Sequence, residues 1–294
     1  MSQHALAPKL REILVNSPGT AYGLCVWENG EFTTEILTPA NRCQNCYSVA
    51  KAFTATAIGM LVDRGKISFD DKVYPILQKY FPSNFDPKWK EVTVANMLLH
   101  RFGIEKPGFL DIDSKPMDKF PSTDFLAIVL GERLTGTVGE TFAYTDAAYY
   151  VLSRIFTECS GERMDDFLRK ELLTPLHFQE HAFSVCPQGY FMGATGFYLS
   201  TFDMAKLGVL YAQNGLWEGK RLLSEKVIGD ILGHGYSLKP NGDNGSYTKG
   251  GAYGQLLYIN PSTQRVVTVH GYELSLKPLF EFLAKADRLT PLAD

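Results

Sequence analysis

The chain has 294 residues, of which 45% are hydrophobic and 21% are charged, an ordinary composition for a globular protein. Its 29 basic and 32 acidic residues give a formal net charge of -3 and are scattered without long runs, so we expect no nucleic-acid partner. Neither a signal-like amino terminus nor a run of about 18 apolar residues is present, which predicts no membrane partner and a cytoplasmic location.

The odd number of cysteines favours free thiols in a reducing compartment over a disulfide framework. Cys43 and Cys46 form a CxxC pattern, but no second CxxC or CxxH pair accompanies it. A metal or redox role is therefore less favoured than two thiols in a loop.

Strand-like segments lie near both ends of the chain. Residues 21–37 predict two strands around Glu28-Asn29-Gly30, since Asn-Gly adopts positive φ at little cost. Residues 256–259 and 266–269 predict a second hairpin. We expect the two hairpins to pair into one antiparallel sheet.

Helical spacing of apolar residues dominates the middle of the chain. It predicts helices at 6–15, 124–134, 146–160, 164–172, 201–214 and 224–232, with a short helix near 93–100. Residues 67–123 are otherwise rich in loops. We expect one catalytic domain in which residues 1–66 and 190–294 form an α/β sheet region and residues 67–189 form a mostly helical inserted region.

Ser48 and Lys51 stand three residues apart at the start of a further helical pattern, which continues to Arg64. A lysine on the same face can act as the base for a serine nucleophile if its pKa is lowered, and the positive end of the helix dipole favours such lowering. Backbone N–H groups there can stabilise an oxyanion. The alternative is that Ser48 only caps the helix.

The wider sequence resembles the serine β-lactamase and penicillin-binding-protein superfamily, specifically the class C β-lactamase-like branch with esterases and 6-aminohexanoate-dimer hydrolase. The resemblance rests on these segments in order: "YSVAKAFTATAIGMLVDRGKISFDDKV", "VTVANMLLHRFGI", "GETFAYTDAAYYVLSRIFTECSGERMDDFLRKELLTPL" and "GATGFYLSTFDMAKLGVLYAQNGLWEGKRLLSEKVI". It implies an α+β (α/β sandwich) fold of the β-lactamase/transpeptidase type, an antiparallel sheet flanked by helices, with the active site in a cleft.

The resemblance also implies catalytic roles. Ser48 matches the acyl-accepting serine, Lys51 the lysine that takes its proton, and Tyr144 the tyrosine that relays a proton to the leaving group. The backbone N–H groups of Ser48 and Ala252 match the oxyanion hole. No metal and no organic cofactor is implied.

Asp146 stands where the lactamases themselves have asparagine. A carboxylate cannot donate the amide hydrogen bond that holds a β-lactam side chain, but it can pair with Lys51, so this departure argues against efficient β-lactam hydrolysis. The alternative is that Asp146 caps the helix that follows it.

The third motif, on an edge strand, matches less well. Its candidate is Lys249-Gly250-Gly251, and the short spacing to Gly254-Gln255 leaves two alignments open. Either Lys249 occupies the cationic position, or Gly250 does and the site lacks a second cation.

Two histidines are further candidates. We interpret His100 as a packing residue. His270 would have to lie close to Ser48 to complete a Ser-His-Asp triad, which is not needed if Lys51 is the base.

These observations predict a serine hydrolase whose partner is a small-molecule ester, amide or short peptide-like substrate. Two alternatives remain open: a D-amino-acid peptidase or transpeptidase, and a non-catalytic binding descendant of the fold. The sequence indicates neither the physiological substrate nor the oligomeric state.

Overall fold

The computed structural model describes residues 6–288. The strands are β1 (Thr20–Glu28), β2 (Glu31–Ile36), β3 (Gln44–Asn45), β4 (His181–Phe183), β5 (Phe197–Leu199), β6 (Leu216–Trp217), β7 (Lys220–Arg221), β8 (Lys239–Pro240), β9 (Tyr247–Gly251), β10 (Gln255–Asn260) and β11 (Arg265–Tyr272). The helices are α1 (Leu6–Val15), α2 (Ala50–Asp63), α3 (Val73–Leu77), α4 (Val94–Leu98), α5 (Phe125–Leu130), α6 (Asp146–Ser160), α7 (Met164–Leu168), α8 (Thr201–Ala212), α9 (Glu225–His234) and α10 (Lys277–Arg288).

The main sheet has the strand order β2-β1-β11-β10-β9-β8, with antiparallel pairing throughout. The predicted terminal hairpins join through β1 and β11, where Leu24 lies opposite Val269. Asn29 and Gly30 have φ of 54° and 82° in the turn between β1 and β2, as the Asn-Gly signal predicts. The predicted α+β fold with an antiparallel sheet is confirmed.

Helices cover both faces of this sheet. On one face α8 packs against β1, β10 and β11. On the other face the apolar sides of α1 and α10 form a cluster with Leu24 and Val26, whereas Cys25 and Trp27 belong to the cluster on the first face. Successive side chains of β1 therefore pack alternately against the helices on one face of the sheet and those on the other.

Helix α2 runs through the protein interior, and every residue from Ala50 to Leu61 is buried. Small residues allow this burial on all sides, since a Cβ atom at Gly59 would lie 2.7 Å from a methyl group of Val227 on α9. The buried helix fixes the position of the turn that precedes it.

The predicted helices are present, and two of them differ most from their predicted extent. The helix predicted at 124–134 ends at Leu130, and the one predicted at 164–172 continues from α7 into a π-helical turn, Arg169–Leu173. One hydrophobic cluster extends from Cys25 to Val266 and includes residues of both predicted regions, so the core does not mark a boundary between them. The division of the chain at residues 66 and 190 therefore stays a prediction. Among residues 6–288, no helix combines the length and apolar character needed to cross a membrane.

The cysteines are free thiols. Cys46 is fully buried, and burial raises the pKa of its thiol. Neither Cys43 nor Cys46 belongs to a group of potential metal ligands within the described part of the chain. The CxxC pattern is thus accounted for by two thiols in the segment that leads to Ser48.

Candidate active site

Ser48 lies on a tight turn directly before α2. The turn is a single 3-10 turn, Tyr47–Val49, in which Tyr47 has a φ of 47°, a strained conformation for a residue with a side chain. Cys46 anchors the turn by donating its backbone N–H to the carbonyl oxygen of Phe197 at 2.8 Å. No side chain caps this turn or α2, so the alternative role of Ser48 as a helix cap is wrong.

Lys51 is completely buried and donates its ammonium protons to three acceptors. Its Nζ lies 2.7 Å from Asp146 Oδ1, 2.9 Å from the carbonyl oxygen of Ala194 and 3.1 Å from Ser48 Oγ. Burial lowers the pKa of Lys51, but the charges of Asp146 and Tyr144 outweigh burial and raise that pKa above its ordinary value.

Our expectation of a lowered Lys51 pKa is therefore wrong. The helix dipole acts through partial charges, whereas the Asp146 carboxylate is a full charge at 2.7 Å. The raised pKa keeps Lys51 in the ammonium form at neutral pH, in which it donates a hydrogen bond to Ser48 Oγ.

Tyr144 lies between two ammonium groups. Lys51 Nζ is 4.9 Å from the centroid of the Tyr144 ring, and Lys249 Nζ donates a hydrogen bond to the phenolic oxygen at 3.1 Å. Burial raises the pKa of Tyr144, while Lys51, Lys249 and a hydrogen bond from Ser48 lower it, and the net pKa is below its usual value. Tyr144 is thus a stronger acid than an ordinary tyrosine, and its phenolic oxygen lies beside the Ser48 hydroxyl.

Strand β9 supplies the second cation, Lys249. Its loss of hydration and the nearby charge of Lys51 lower the pKa of Lys249 to about 8, although Tyr144 acts in the opposite direction. The alternative alignment, in which Gly250 occupied the cationic position and left the site without a second cation, is wrong.

Asp146 is the first residue of α6 and pairs with Lys51. The cap of this helix is Thr145, whose Oγ1 accepts a hydrogen bond from the backbone N–H of Ala147 at 3.1 Å. The alternative role of Asp146 as the helix cap is therefore wrong, and its pairing with Lys51 is observed.

The two histidines have different surroundings. His100 packs against the Tyr144 ring in a tilted arrangement with a centroid distance of 4.4 Å, and its Nδ1 accepts a hydrogen bond from the backbone N–H of Thr145 at 3.3 Å. Burial, with added repulsion from Lys51 and Lys249, lowers the pKa of His100 to about 2, so it is a neutral packing residue. His270 contacts Gln255 and the backbone of Leu199, and it does not line the cavity at Ser48.

Ser48 and Tyr144 open into a cavity of about 420 Å³, which Asp146 and the segment from Gly250 to Tyr253 also line. Strand β9 approaches the Ser48 turn so closely that a Cβ atom at Gly251 would lie 2.5 Å from the carbonyl oxygen of Cys46. Glycine at this position is required by that close approach. Ala252 lies at the end of the strand on the cavity wall, where we expected the second oxyanion donor.

Two acidic residues on the same wall, Asp111 and Asp113, carry no recognisable sequence signal. They lie in a loop without periodicity, so only the fold brings them to the site. Burial, with the charges of Asp146 and Asp111, raises the pKa of Asp113 to about 6, although its hydrogen bond from Thr195 lowers it.

Carboxylate oxygens of Asp111, Asp113 and Asp146 lie within 4.8 Å of one another, a spacing that a metal ion can bridge. The Lys51 ammonium already occupies Asp146 at 2.7 Å and would repel a cation at that point. The donor set thus does not fit a catalytic metal, and we assign none.

A sequence model of the family described as Beta-lactamase matches residues 18–271. Penicillin-binding protein 4 of Amycolatopsis lactamdurans is 32% identical over 129 residues, which cover 44% of this chain and 33% of that protein. The chain spans about a third of the length of the curated relatives it matches.

Solved structures share the fold. A protein described as a 6-aminohexanoate-dimer hydrolase from Bacillus anthracis has a TM-score of 0.78 and 19% identity, covering 94% of this chain and 79% of that one. EstCE1, described as a hydrolase with promiscuous acyltransferase activity, has a TM-score of 0.73 and 14% identity, covering 96% of this chain and 98% of that one. At these identities the likeness shows the fold alone.

Proposed function

Because this chain belongs to the beta-lactamase family, we propose that it is a serine hydrolase that cleaves an ester or amide bond through an acyl-Ser48 intermediate. The observation that carries the proposal is the arrangement of Tyr144 between Lys51 and Lys249 beside the Ser48 hydroxyl. A hydroxyl becomes a nucleophile when a base of suitable pKa lies within reach.

Acylation begins with the attack of Ser48 Oγ on the substrate carbonyl carbon. As the new C–O bond forms, the hydroxyl proton moves to the Tyr144 phenolate, which the two ammonium groups have made available. Lys51 stays protonated through this step and stabilises the developing charge. The protonated Tyr144 then gives its proton to the leaving oxygen or nitrogen as the bond to that atom breaks.

Deacylation repeats the chemistry with water. Tyr144 accepts a proton from the water that attacks the acyl carbon, and it passes this proton to Ser48 Oγ as the acyl C–Oγ bond breaks and the acid leaves. We assign the oxyanion-stabilising N–H groups to Ser48 and Ala252, in support of which both residues line the same cavity.

The charge of the cavity wall bears on the substrate. Asp111 and Asp113 place carboxylates on the wall of the cavity at Ser48, close to the ion-paired Asp146. An anionic acyl group would be repelled there, whereas a neutral or cationic acyl group would not. The substrates that fit are small esters, amides or short peptide-like molecules with an uncharged or ammonium-bearing acyl part.

A second candidate function, that of a peptidase or transpeptidase acting on D-amino-acid peptides, is favoured by the match to a penicillin-binding protein. Both candidates use the same acyl-enzyme. Hydrolysis rates for short-chain p-nitrophenyl esters compared with those for D-amino-acid p-nitroanilides separate them.

Labelling with a fluorophosphonate probe tests the proposal. We expect the wild-type protein to be labelled and to hydrolyse p-nitrophenyl esters, and Ser48→Ala to do neither. Ser122→Ala is the matched control, because Ser122 is exposed and does not line the cavity, and it should behave as the wild type. A wild-type protein that is neither labelled nor active would instead support a non-catalytic binding protein.

A further inference from the structure

Three tyrosine rings form a continuous aromatic surface beside the Ser48 cavity. They come from three elements: Tyr47 from the turn before α2, Tyr253 from the turn after β9 and Tyr272 from the end of β11. The Tyr47 and Tyr253 rings meet edge to face with a centroid distance of 5.1 Å, and Tyr272 stacks on Tyr253 at 5.2 Å with 17° between the ring planes. We call these three residues the tyrosine ladder.

The tyrosine ladder is open to solvent. Tyr253 is 41% exposed and Tyr272 is 49% exposed, so the contacts between the rings leave much of their surface uncovered. Tyr253 also lines the cavity into which Ser48 opens, which makes this surface continuous with the candidate active site. Exposed aromatic surface that adjoins a cavity is typical of a ligand-binding site.

Two members of the ladder have strained backbones. Tyr47 and Tyr253 adopt φ angles of 47° and 63°, which glycine reaches without strain and a residue with a side chain does not. Residues strained in this way cluster at active sites and ligand-binding segments. Tyr47 directly precedes Ser48 in the chain, so the ladder is fixed to the nucleophile by one peptide bond.

The order of residues along β9 indicates which part of a substrate the ladder would contact. Lys249 donates a hydrogen bond to the hydroxyl of Tyr144, which serves the leaving group in the proposed reaction. Ala252 stands at the proposed oxyanion position, and Tyr253 follows it on the side away from Lys249. The acyl and leaving groups extend from the carbonyl carbon in different directions, so the ladder lies on the acyl side.

We propose that the tyrosine ladder binds an aromatic ring in the acyl part of the substrate, so that the preferred substrates are arylalkanoyl esters or amides. The inference rests on the proposed function, because it describes the acyl part of the same substrate. Stacked and edge-to-face contacts between aromatic rings are favourable beyond the area that they bury, and a saturated ring lacks them. An uncharged ring also avoids the repulsion that Asp111 and Asp113 exert on an anion.

Two p-nitrophenyl esters test the inference, the 3-phenylpropionate and the 3-cyclohexylpropionate, because they share a leaving group and carry rings of similar size at the same distance from the carbonyl. We expect kcat/KM for the phenylpropionate to be about three- to tenfold higher, the effect of one aromatic pair. Tyr253→Ala should move this ratio towards one, whereas Tyr253→Phe, which keeps the ring, should retain it. Leu216→Ala, which removes an exposed apolar side chain outside the cavity, should keep the wild-type ratio.

Moving the rings to the leaving group tests the assigned direction. Benzyl butyrate and cyclohexylmethyl butyrate should be hydrolysed with nearly equal kcat/KM, because the ladder does not contact the leaving group. A preference for the aromatic ring in this pair, without one in the acyl pair, would overturn the inference.

Binding of unreactive amides to Ser48→Ala provides a readout without turnover. Calorimetry should show that 3-phenylpropionamide binds more tightly than 3-cyclohexylpropionamide, and that adding Tyr253→Ala removes the difference. Equal binding of the two amides, or a wild-type rate ratio of one or less for the acyl pair, would also overturn the inference. If the amides bind as expected but the wild type accelerates the hydrolysis of neither ester, the aromatic subsite stands and the proposed function fails.

Discussion

The replacement Asp146→Asn tests the buried ion pair on which the site is built. Lys51 and Asp146 have side-chain exposures of 0% and 8% and lie 2.7 Å apart, so each neutralises the other away from water. Asparagine keeps an oxygen acceptor in the same place but removes the negative charge. The perturbation therefore leaves an unpaired ammonium group in the interior with little change of shape.

Removing one partner of a buried ion pair costs about 3 to 5 kcal/mol of stability. Because asparagine can still accept the hydrogen bond, we expect the lower end, about 3 kcal/mol. For a protein of this size this corresponds to a fall in Tm of about 6 to 12 °C. Asp146→Ala should cost more, since it removes both the charge and the acceptor.

The sign of the pH dependence follows from the raised pKa of Lys51. A group whose pKa is higher in the folded state stabilises the fold fully below its unfolded pKa of 10.5, and this stability is lost as pH rises through the folded value. The loss in Asp146→Asn should therefore be similar at pH 7 and pH 9.

Urea unfolding followed by circular dichroism measures the effect, with Lys51→Met and the double variant completing a thermodynamic cycle. The double variant should be destabilised by less than the sum of the single changes, because Lys51→Met removes the charge that Asp146→Asn leaves unpaired. A single Asp146→Asn variant within about 0.5 kcal/mol of wild type at pH 7 would refute the reasoning.

Three further outcomes are expected. In Lys249→Met the pKa of Tyr144 should rise, because Tyr144 loses one of its two neighbouring cations. The acidic limb of the plot of kcat/KM against pH should therefore move to higher pH by about 1 to 3 units, and an unmoved limb would show that Tyr144 is not the base. In the wild type, stability should fall by about 1.4 kcal/mol per pH unit as pH drops below 6.5, because only the unfolded state protonates His100. His100→Asn, which keeps an acceptor for the Thr145 N–H, should abolish this dependence. Urea titrations between pH 7 and pH 5 measure the slope, and an unchanged slope in the variant would assign the dependence to another group. For nitrocefin, whose side-chain amide carbonyl finds no N–H donor at Asp146, kcat/KM should be at least about tenfold below that for a short-chain ester, and the reverse order would contradict the interpretation of Asp146 as a carboxylate paired with Lys51.

Much of the fold could be predicted because local signals and the global structure agree. The Asn29-Gly30 turn and the alternating apolar residues of the terminal segments predict hairpins, and pairing β1 with β11 is the arrangement that buries them. Helix ends were less accurate: Gly131 ends α5 before the predicted residue 134.

The site could be predicted only in part. Ser48 and Lys51 are neighbours along the chain, so their contact follows from spacing, whereas the pKa of Lys51 depends on Asp146, 95 residues away. The position of Lys249 was ambiguous because the turn after β9 contains Tyr253 at a φ of 63°, which changes the spacing to the next strand. Asp111 and Asp113 come from a loop, whose conformation depends on packing rather than on periodicity.

The central claim is a covalent acyl group on Ser48, and mass spectrometry of the protein mixed with a short-chain p-nitrophenyl ester tests it most directly. We expect the intact mass to increase by one acyl group during turnover and the modified peptide to carry that group on Ser48. The modification should be absent in Ser48→Ala and should accumulate when Tyr144→Phe slows deacylation. Ester hydrolysis by the wild type without any adduct on Ser48, or with the acyl group on another residue, would contradict the mechanism.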